Sequence, residues 1–355
     1  MEFKKFLKEK IKELKLISKK EKKLSGFMIG NTSKIEKSKF YFTPIRVTKE
    51  VVLSGLIVYS EKYAKIAAKY LDGKVDYVLV DAEKKIPAKK NGNPSNIERR
   101  VREIVKKTNM WVYKGNDLTV DAVDILLTNL LKNDLRGVGG KQILVIGAGN
   151  VGFKISLLMV ERGAKVCLCA RNLNKLKIKS KALNYIKPIH TIEKVVPLKL
   201  KDSLVNSSDI IIGATNGKPV VSRKMLENSK KNAIFIDLGK GTFYKNAIEH
   251  ANNHKIKIYR ADISAALEGQ INKLLMMENI KFNKFERKKL LGETLVSSGL
   301  LGNYEEIIID NTVSPKRILG MSDGKGDFIR QLSKIQKQKL LKIKNFFKQK
   351  NENRF

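Results

Sequence analysis

The sequence predicts an α/β protein in which a doubly wound parallel sheet follows a smaller α/β domain. Three observations carry that expectation. Residues 141–172 read as strand, glycine turn, helix and strand. Short apolar runs alternate with helical patterns on both sides of that stretch, the signature of parallel strands joined by helices. The chain has 355 residues, 42% of them hydrophobic, enough for two ordinary domains with real cores.

The central stretch is the most informative. The apolar run Ile143 to Ile146 leads into Gly147-Ala148-Gly149-Asn150-Val151-Gly152. A helical pattern follows, with Val151, Ile155, Leu158 and Met159 on one face and Arg162-Gly163 at its end. A second apolar run, Lys165 to Ala170, stops at Arg171. This is a Rossmann-type dinucleotide-binding unit, and each glycine has a task. Gly147 permits the turn off the strand, Gly149 lets a pyrophosphate approach the backbone, and Gly152 lets the helix pack close. The free N–H groups of the helix start, Asn150 and Val151 among them, favour the phosphates.

The tip of the second strand sorts the cofactor. NAD sites place an acid there for the ribose hydroxyls, about 20 residues beyond the glycines. Here the tip is Ala170-Arg171-Asn172, with Lys175 and Lys177 after it and no acid. A guanidinium pairs with a 2′-phosphate, which a carboxylate repels. NADP is therefore expected in preference to NAD.

Composition narrows the function classes. No apolar stretch reaches the length of a membrane span, and the charged N-terminus has no secretory apolar region, so a cytoplasmic location is expected. Cys167 and Cys169 are the only cysteines, two apart on one predicted strand, and read as buried thiols rather than a bridge. His190, His250 and His254 form no metal-like cluster, so no metal is expected. The net charge of +37 is dominated by lysines spread from end to end. Such a surface attracts anionic substrates. Without aromatics interleaved among the cations, it does not specify dedicated nucleic-acid binding.

Four segments are expected in order. Residues 1–25 form a basic amphipathic helix, with Phe3, Phe6, Leu7, Ile11 and Leu14 on one face. That face packs against the body of the protein or a second copy in a homodimer, in preference to an anionic membrane. Residues 26–131 form an α/β substrate domain. Its strands are Phe27 to Ile29, Val51 to Tyr59, Tyr77 to Val80 and Met110 to Tyr113, with helices over Glu61 to Leu71 and Glu98 to Lys106. A helix from Asp121 to Leu131 crosses to the next domain. Residues 132–290 form the nucleotide-binding domain. Its further strands end in Ala214-Thr215-Asn216 and in Leu238-Gly239, tips that should face the nicotinamide half of the cofactor. Residues 291–355 are polar glycine loops and a basic helix packing back on the first domain.

This order of domains resembles that of shikimate dehydrogenases, methylenetetrahydrofolate dehydrogenases and amino-acid dehydrogenases. The nucleotide domain is most similar to the shikimate dehydrogenase group, whose second strand commonly ends in Asn-Arg-Thr and whose fourth carries Asn-Ala-Thr. Ala170-Arg171-Asn172 and Gly213-Ala214-Thr215 are the matching positions. That family takes a catalytic lysine from a Val-Thr-Ile-Pro-Phe-Lys loop and its partner aspartate from Asn-Thr-Asp. Lys85-Ile86-Pro87-Ala88-Lys89 and Thr119-Val120-Asp121 are partial matches. The resemblance thus implies Lys89, or Lys85, and Asp121 as catalytic residues, with Asn116 and Gln270 contacting substrate. The Ser-x-Ser pair that holds shikimate has no counterpart, since only Thr32, Ser33 and Ser38 follow Gly30-Asn31. The resemblance therefore points to the superfamily rather than to shikimate.

The expected function is NADP-dependent hydride transfer to or from a small polar, anionic hydroxy, keto or amino compound bound between the two domains. The alternatives are a catalytically inactive NAD(P)-binding or sensing protein and a methylenetetrahydrofolate-dehydrogenase-like enzyme. The latter is weakened because Tyr59 and Tyr63 lack a lysine four residues on. Glutamyl-tRNA reductases carry a similar nucleotide domain, but need a nucleophilic cysteine in the first domain, where this chain has none.

Overall fold

The computed structural model describes all residues except 1, 33–39, 87–94, 216, 239–240, 283–284 and 353–355, and of 279–282 and 350–352 it describes the backbone alone. It divides into two compact units, Met1–Ile271 and Asn272–Phe355.

The first unit opens with α1 (Glu2–Glu21), which buries Phe3, Leu7, Ile11 and Leu14. Spacings of four, four and three keep these residues on one stripe. The stripe lies on a five-stranded sheet made of β1 (Leu24–Asn31), β2 (Phe40–Val47), β3 (Val51–Val58), β4 (Tyr77–Asp81) and β5 (Asn109–Tyr113). Their order is β2-β3-β1-β4-β5. β3, β1, β4 and β5 run parallel, and β2 pairs antiparallel at the edge. The inner strands are buried on both faces, which explains their unbroken apolar runs. β2 has no counterpart among the expected strands, because Pro44 interrupts it. The ladder shifts register between Thr43 and Arg46, the edge-and-bulge setting in which a strand tolerates proline. α2 (Glu61–Leu71) and α3 (Ile97–Arg102) pack beside this sheet, and α3 is shorter than the expected helix.

From β1 the chain runs out to β3 on one side, then returns to β4 on the other. The carboxyl ends of β1 and β4 therefore flank a topological switch point, where open α/β sheets bind ligands.

α4 (Gly115–Leu130) leaves β5 and begins six residues earlier than the expected start at Asp121. Asn116 and Asp117 consequently occupy its first turn, where an acid complements the helix dipole. Val120, Val123 and Leu127 are buried in the core of the next sheet, so this helix joins the two lobes.

That sheet comprises β6 (Gln142–Ile146), β7 (Lys165–Cys169), β8 (Val195–Leu198), β9 (Ile210–Gly213), β10 (Ile234–Asp237) and β11 (Ile258–Arg260). All strands are parallel, in the order β11-β10-β9-β6-β7-β8. Its switch point lies between β6 and β9. The helices are α5 (Asn150–Glu161), α6 (Leu173–Ile186), α7 (Asp202–Ser207), α8 (Arg223–Glu227), α9 (Lys245–Asn253) and α10 (Ser264–Phe282). Cys167 and Cys169 are free thiols packed against one apolar cluster. Burial, with Cys167 alongside, pushes the Cys169 thiol up to about 12.

The second unit holds β12 (Arg287–Leu290), β13 (Glu293–Ser297), β14 (Ile307–Ile309), β15 (Ile318–Met321) and α11 (Lys334–Glu352). Ile343 and Phe347 of α11 are buried with Leu295, Ile307, Ile309 and Met321 of the unit's own sheet. The division falls at Ile271/Asn272, inside α10.

Candidate active site

The nucleotide turn is built as its glycines require. Gly147 has φ +118°, and a Cβ there would lie 2.5 Å from the Ala214 carbonyl oxygen. A Cβ on Gly152 would lie 1.9 Å from the Gly147 oxygen, so α5 could not start where it does with any larger residue. A Cβ on Gly149 would meet nothing within 4 Å. The space over Gly149 is open, and Asn150, Val151 and Gly152 form the first turn of α5, whose N–H groups have no partner within the helix. This is the environment a pyrophosphate needs.

Beside the turn lies a cavity of about 210 Å³. Ala148, Ala170 and Leu176 line it with apolar surface, and Arg171, Asn172, Lys175 and Lys179 with polar groups. Asn172 caps α6 by accepting the Lys175 N–H at 3.0 Å, and the Lys179 ammonium donates to the Ala148 carbonyl. Among the described residues, three cations and no carboxylate line the cavity, which suits an anionic group. Lys175 and Lys179, four apart on α6, share the face toward the cavity, while Lys177 does not line it.

At the far strand tips, Ala214 abuts Gly147 across the β6/β9 switch point. Thr215 Oγ1 lies 3.0 Å from Thr242 Oγ1, which donates to Asp237 at 3.1 Å. Leu238 donates its N–H to the Gly213 oxygen at 2.9 Å, extending β10 beside β9. Asn216 and Gly239 lie outside the described residues.

The switch point of the first sheet carries a second polar cluster. Asp81 ends β4 and is 2% exposed. Its Oδ2 accepts from Lys85 Nζ at 2.7 Å, while Oδ1 takes the backbone N–H groups of Glu83 at 3.1 Å and Gly115 at 3.3 Å. Glu83 Oε2 lies 2.9 Å from Lys85 Nζ and accepts the Asn116 N–H at 2.8 Å. Asn31, at the end of β1, donates to the Glu83 carbonyl at 2.9 Å and accepts the Lys85 N–H at 3.1 Å. Lys85 is thus fixed through both backbone and side chain, with its ammonium between two carboxylates. The Tyr113 hydroxyl sits 3.1 Å from where a Cβ on Gly30 would be. Burial pushes the Tyr113 phenol well above its ordinary value, and the charges of Asp81 and Glu83 add to that.

The cluster reaches the nucleotide lobe. Asn116 Nδ2 donates to Asn150 Oδ1 at 3.1 Å, and Lys154 of α5 bonds Asp117 and lies 4.0 Å from Glu83 Oε1. Partial burial opposes ionisation of Asp117, but Lys154 and then Lys114 outweigh it and hold the carboxyl below its usual value. The Lys85 ammonium and the Asn116 N–H thus share Glu83 Oε2. Asp121 lies one turn beyond Asp117 and is exposed, Gln270 is half-buried on α10, and Lys89 lies outside the described residues. Sequence reasoning missed Asp81, Glu83, Asn31 and Lys154. The rule that ligands sit at the carboxyl ends of parallel strands would have flagged the first three.

Comparison with known proteins agrees with this geometry for part of the chain. Residues 129–258 match the shikimate/quinate 5-dehydrogenase family model. Glutamyl-tRNA reductase of Thermosipho melanesiensis is 32% identical over 117 residues, covering 33% of this chain and 30% of that protein. The Nitratiruptor enzyme of the same name is 27% identical over 142 residues, covering 39% and 32%. The chain thus spans about a third of the length of these curated relatives. A dipicolinate synthase structure from Bacillus halodurans superposes with a TM-score of 0.36 at 13% identity, covering 72% of this chain and 97% of that one. Residues 129–258, which hold the glycine turn and most of the second parallel sheet, are thus similar in sequence to the nucleotide-binding part of dehydrogenase-like proteins.

Proposed function

We propose that this protein is an NADP-dependent oxidoreductase that moves hydride to or from a small polar hydroxy, keto or amino compound. The substrate is held at the Lys85 cluster, facing the nucleotide lobe. The observation carrying this is the lining of the cavity beside the glycine turn, where Arg171, Lys175 and Lys179 stand with no carboxylate. Bound nicotinamide supplies or accepts the hydride. The protein's part is to bind, orient and handle the proton. Among the described residues, Lys85 commits two of its three N–H groups, to Asp81 and Glu83, and the third is proposed to hold a substrate oxygen. Lys89 and Asp121 are the alternative proton carriers.

The activity named for the curated relatives is not carried over, because both cysteines of this chain lie on β7 of the nucleotide sheet. The test is NADPH oxidation with a panel of keto acids and cyclic enones, comparing wild type with Lys85→Met, Lys89→Met and Asp121→Asn. Turnover lost in Lys85→Met with NADPH binding retained supports the assignment. Saturable NADPH binding with no turnover on any substrate favours a sensor instead. Equal affinity for NADP and NAD overturns the cofactor choice.

A further inference from the structure

We infer that Lys154, on the nucleotide-binding helix α5, is a positioning residue for Lys85 and acts through the Glu83 carboxylate. This rests on Lys85 being the substrate-facing ammonium, as proposed above. Glu83 divides its two oxygens between the lobes. Oε2 takes Lys85 at 2.9 Å and the Asn116 N–H at 2.8 Å, whereas Oε1 faces Lys154 at 4.0 Å. Lys154 lies one turn beyond Asn150, the first residue of α5, and also bonds Asp117 of α4. The helix that starts at the glycine turn therefore places a cation beside one of the two carboxylates that hold Lys85.

The groups around Lys85 settle the direction of the effect. Asp81 from β4 and Glu83 from the following loop hold its ammonium, with Asp117 from α4 adding negative charge further out. Lys154 from α5 is the cation on the far side of Glu83, and Lys114 stands beyond it on Asp117 at 3.6 Å. The neutral phenol of Tyr113 closes the β5 side, with Tyr41 of β2 beside it. The side chains of Lys85 and Glu83 are only 17% and 14% exposed, whereas that of Lys154 is 34% exposed, so water screens the inner pair weakly and the outer cation more. Lys154 acts in two ways with the same sign: it repels the Lys85 charge directly, and it draws on the carboxylate that stabilises that charge.

Competitive labelling of amines with acetic anhydride across pH, read by peptide mass spectrometry, gives the titration midpoint of Lys85 without requiring turnover. Lys154→Met is expected to raise that midpoint and slow labelling of Lys85 at pH 9 by about three- to tenfold. Asp117→Asn is expected to lower it and speed labelling, because Lys154 keeps its charge and turns toward Glu83. Glu83→Gln lowers it as well, and Lys154→Arg leaves it at the wild-type value. Lys154→Met and Asp117→Asn break the same ion pair yet move Lys85 in opposite directions. A pair that merely ties the lobes together would expose Lys85 and speed its labelling in both variants. That result overturns the inference, as does an unchanged midpoint in Lys154→Met. NADP titration of the wild type tests the cofactor assignment separately, since its failure would leave the labelling pattern intact.

Discussion

Arg171 is the residue whose chemistry has the clearest consequence. It stands at the end of β7 with Lys175 and Lys179 on the same cavity. If NADP is bound as proposed, truncation to Ala removes a charge-assisted contact to its 2′-phosphate, a group NAD lacks. Isothermal titration should show NADP affinity falling about 10- to 100-fold in Arg171→Ala, while NAD affinity changes less than about threefold. A second single-residue test concerns stability. Asp72 Oδ1 accepts the backbone N–H groups of Lys106, Lys107 and Thr108 at 3.1, 2.8 and 3.0 Å. Desolvation opposes ionisation, but these bonds prevail and hold its carboxyl below the ordinary value. A depressed folded-state pKa contributes stability above the unfolded pKa and loses it as pH falls through the folded one. Asp72→Ala should therefore cost about 1 kcal/mol at pH 7, by analogy with loss of a helix cap. The difference from wild type should shrink as pH drops below about 4, measured by urea unfolding.

Among the elements, α1 and the β6–α5 turn depend on local geometry in different ways. Leu7 is fully buried between α1 and the first sheet, so Leu7→Ala should cost about 2–5 kcal/mol. A lower urea midpoint for the first unit would show it. The turn has no comparable slack. Gly152→Ala would place a methyl 1.9 Å from a backbone oxygen, so β6 and α5 must separate. NADP binding should be abolished in that variant while α1 remains packed, as binding assays and amide exchange would report. β2 and α4 show where sequence patterns mislead. Pro44 hid an edge strand. The polar start of α4, Gly115-Asn116-Asp117, concealed a first turn that caps onto Asp81 and Glu83 through its backbone N–H groups.

On the scale of the molecule, the lysine excess becomes selective only where the fold gathers it. Most of the +37 charge is dispersed. At the cavity beside the glycine turn three cations converge, and at the first sheet's switch point Lys85 and Lys154 are offset by Asp81, Glu83 and Asp117. Salt should therefore weaken NADP binding more than NAD binding, since the extra phosphate meets the converging charges. Titrations between about 50 and 500 mM NaCl would show the two affinities drawing together. No helix among the described residues is long and apolar enough to cross a membrane.

The chain by itself determined the order of the two α/β lobes, the glycine turn and the cation at the β7 tip. These depend on short-range periodicity and on residue types that tolerate few backbone conformations. It also brought Lys85 and Asn116 under suspicion. Tertiary structure alone decided what those residues meet. Asn31, Asp81, Glu83 and Lys154 lie on separate elements, and only the crossing of the first sheet around β1 brings three of them to one crevice. Asp117, in the first turn of α4, meets Lys154 of α5 because that helix begins at Gly115. The second unit closed its own core with α11, a pairing no local pattern encodes, since an amphipathic face specifies that it will be covered but not by what.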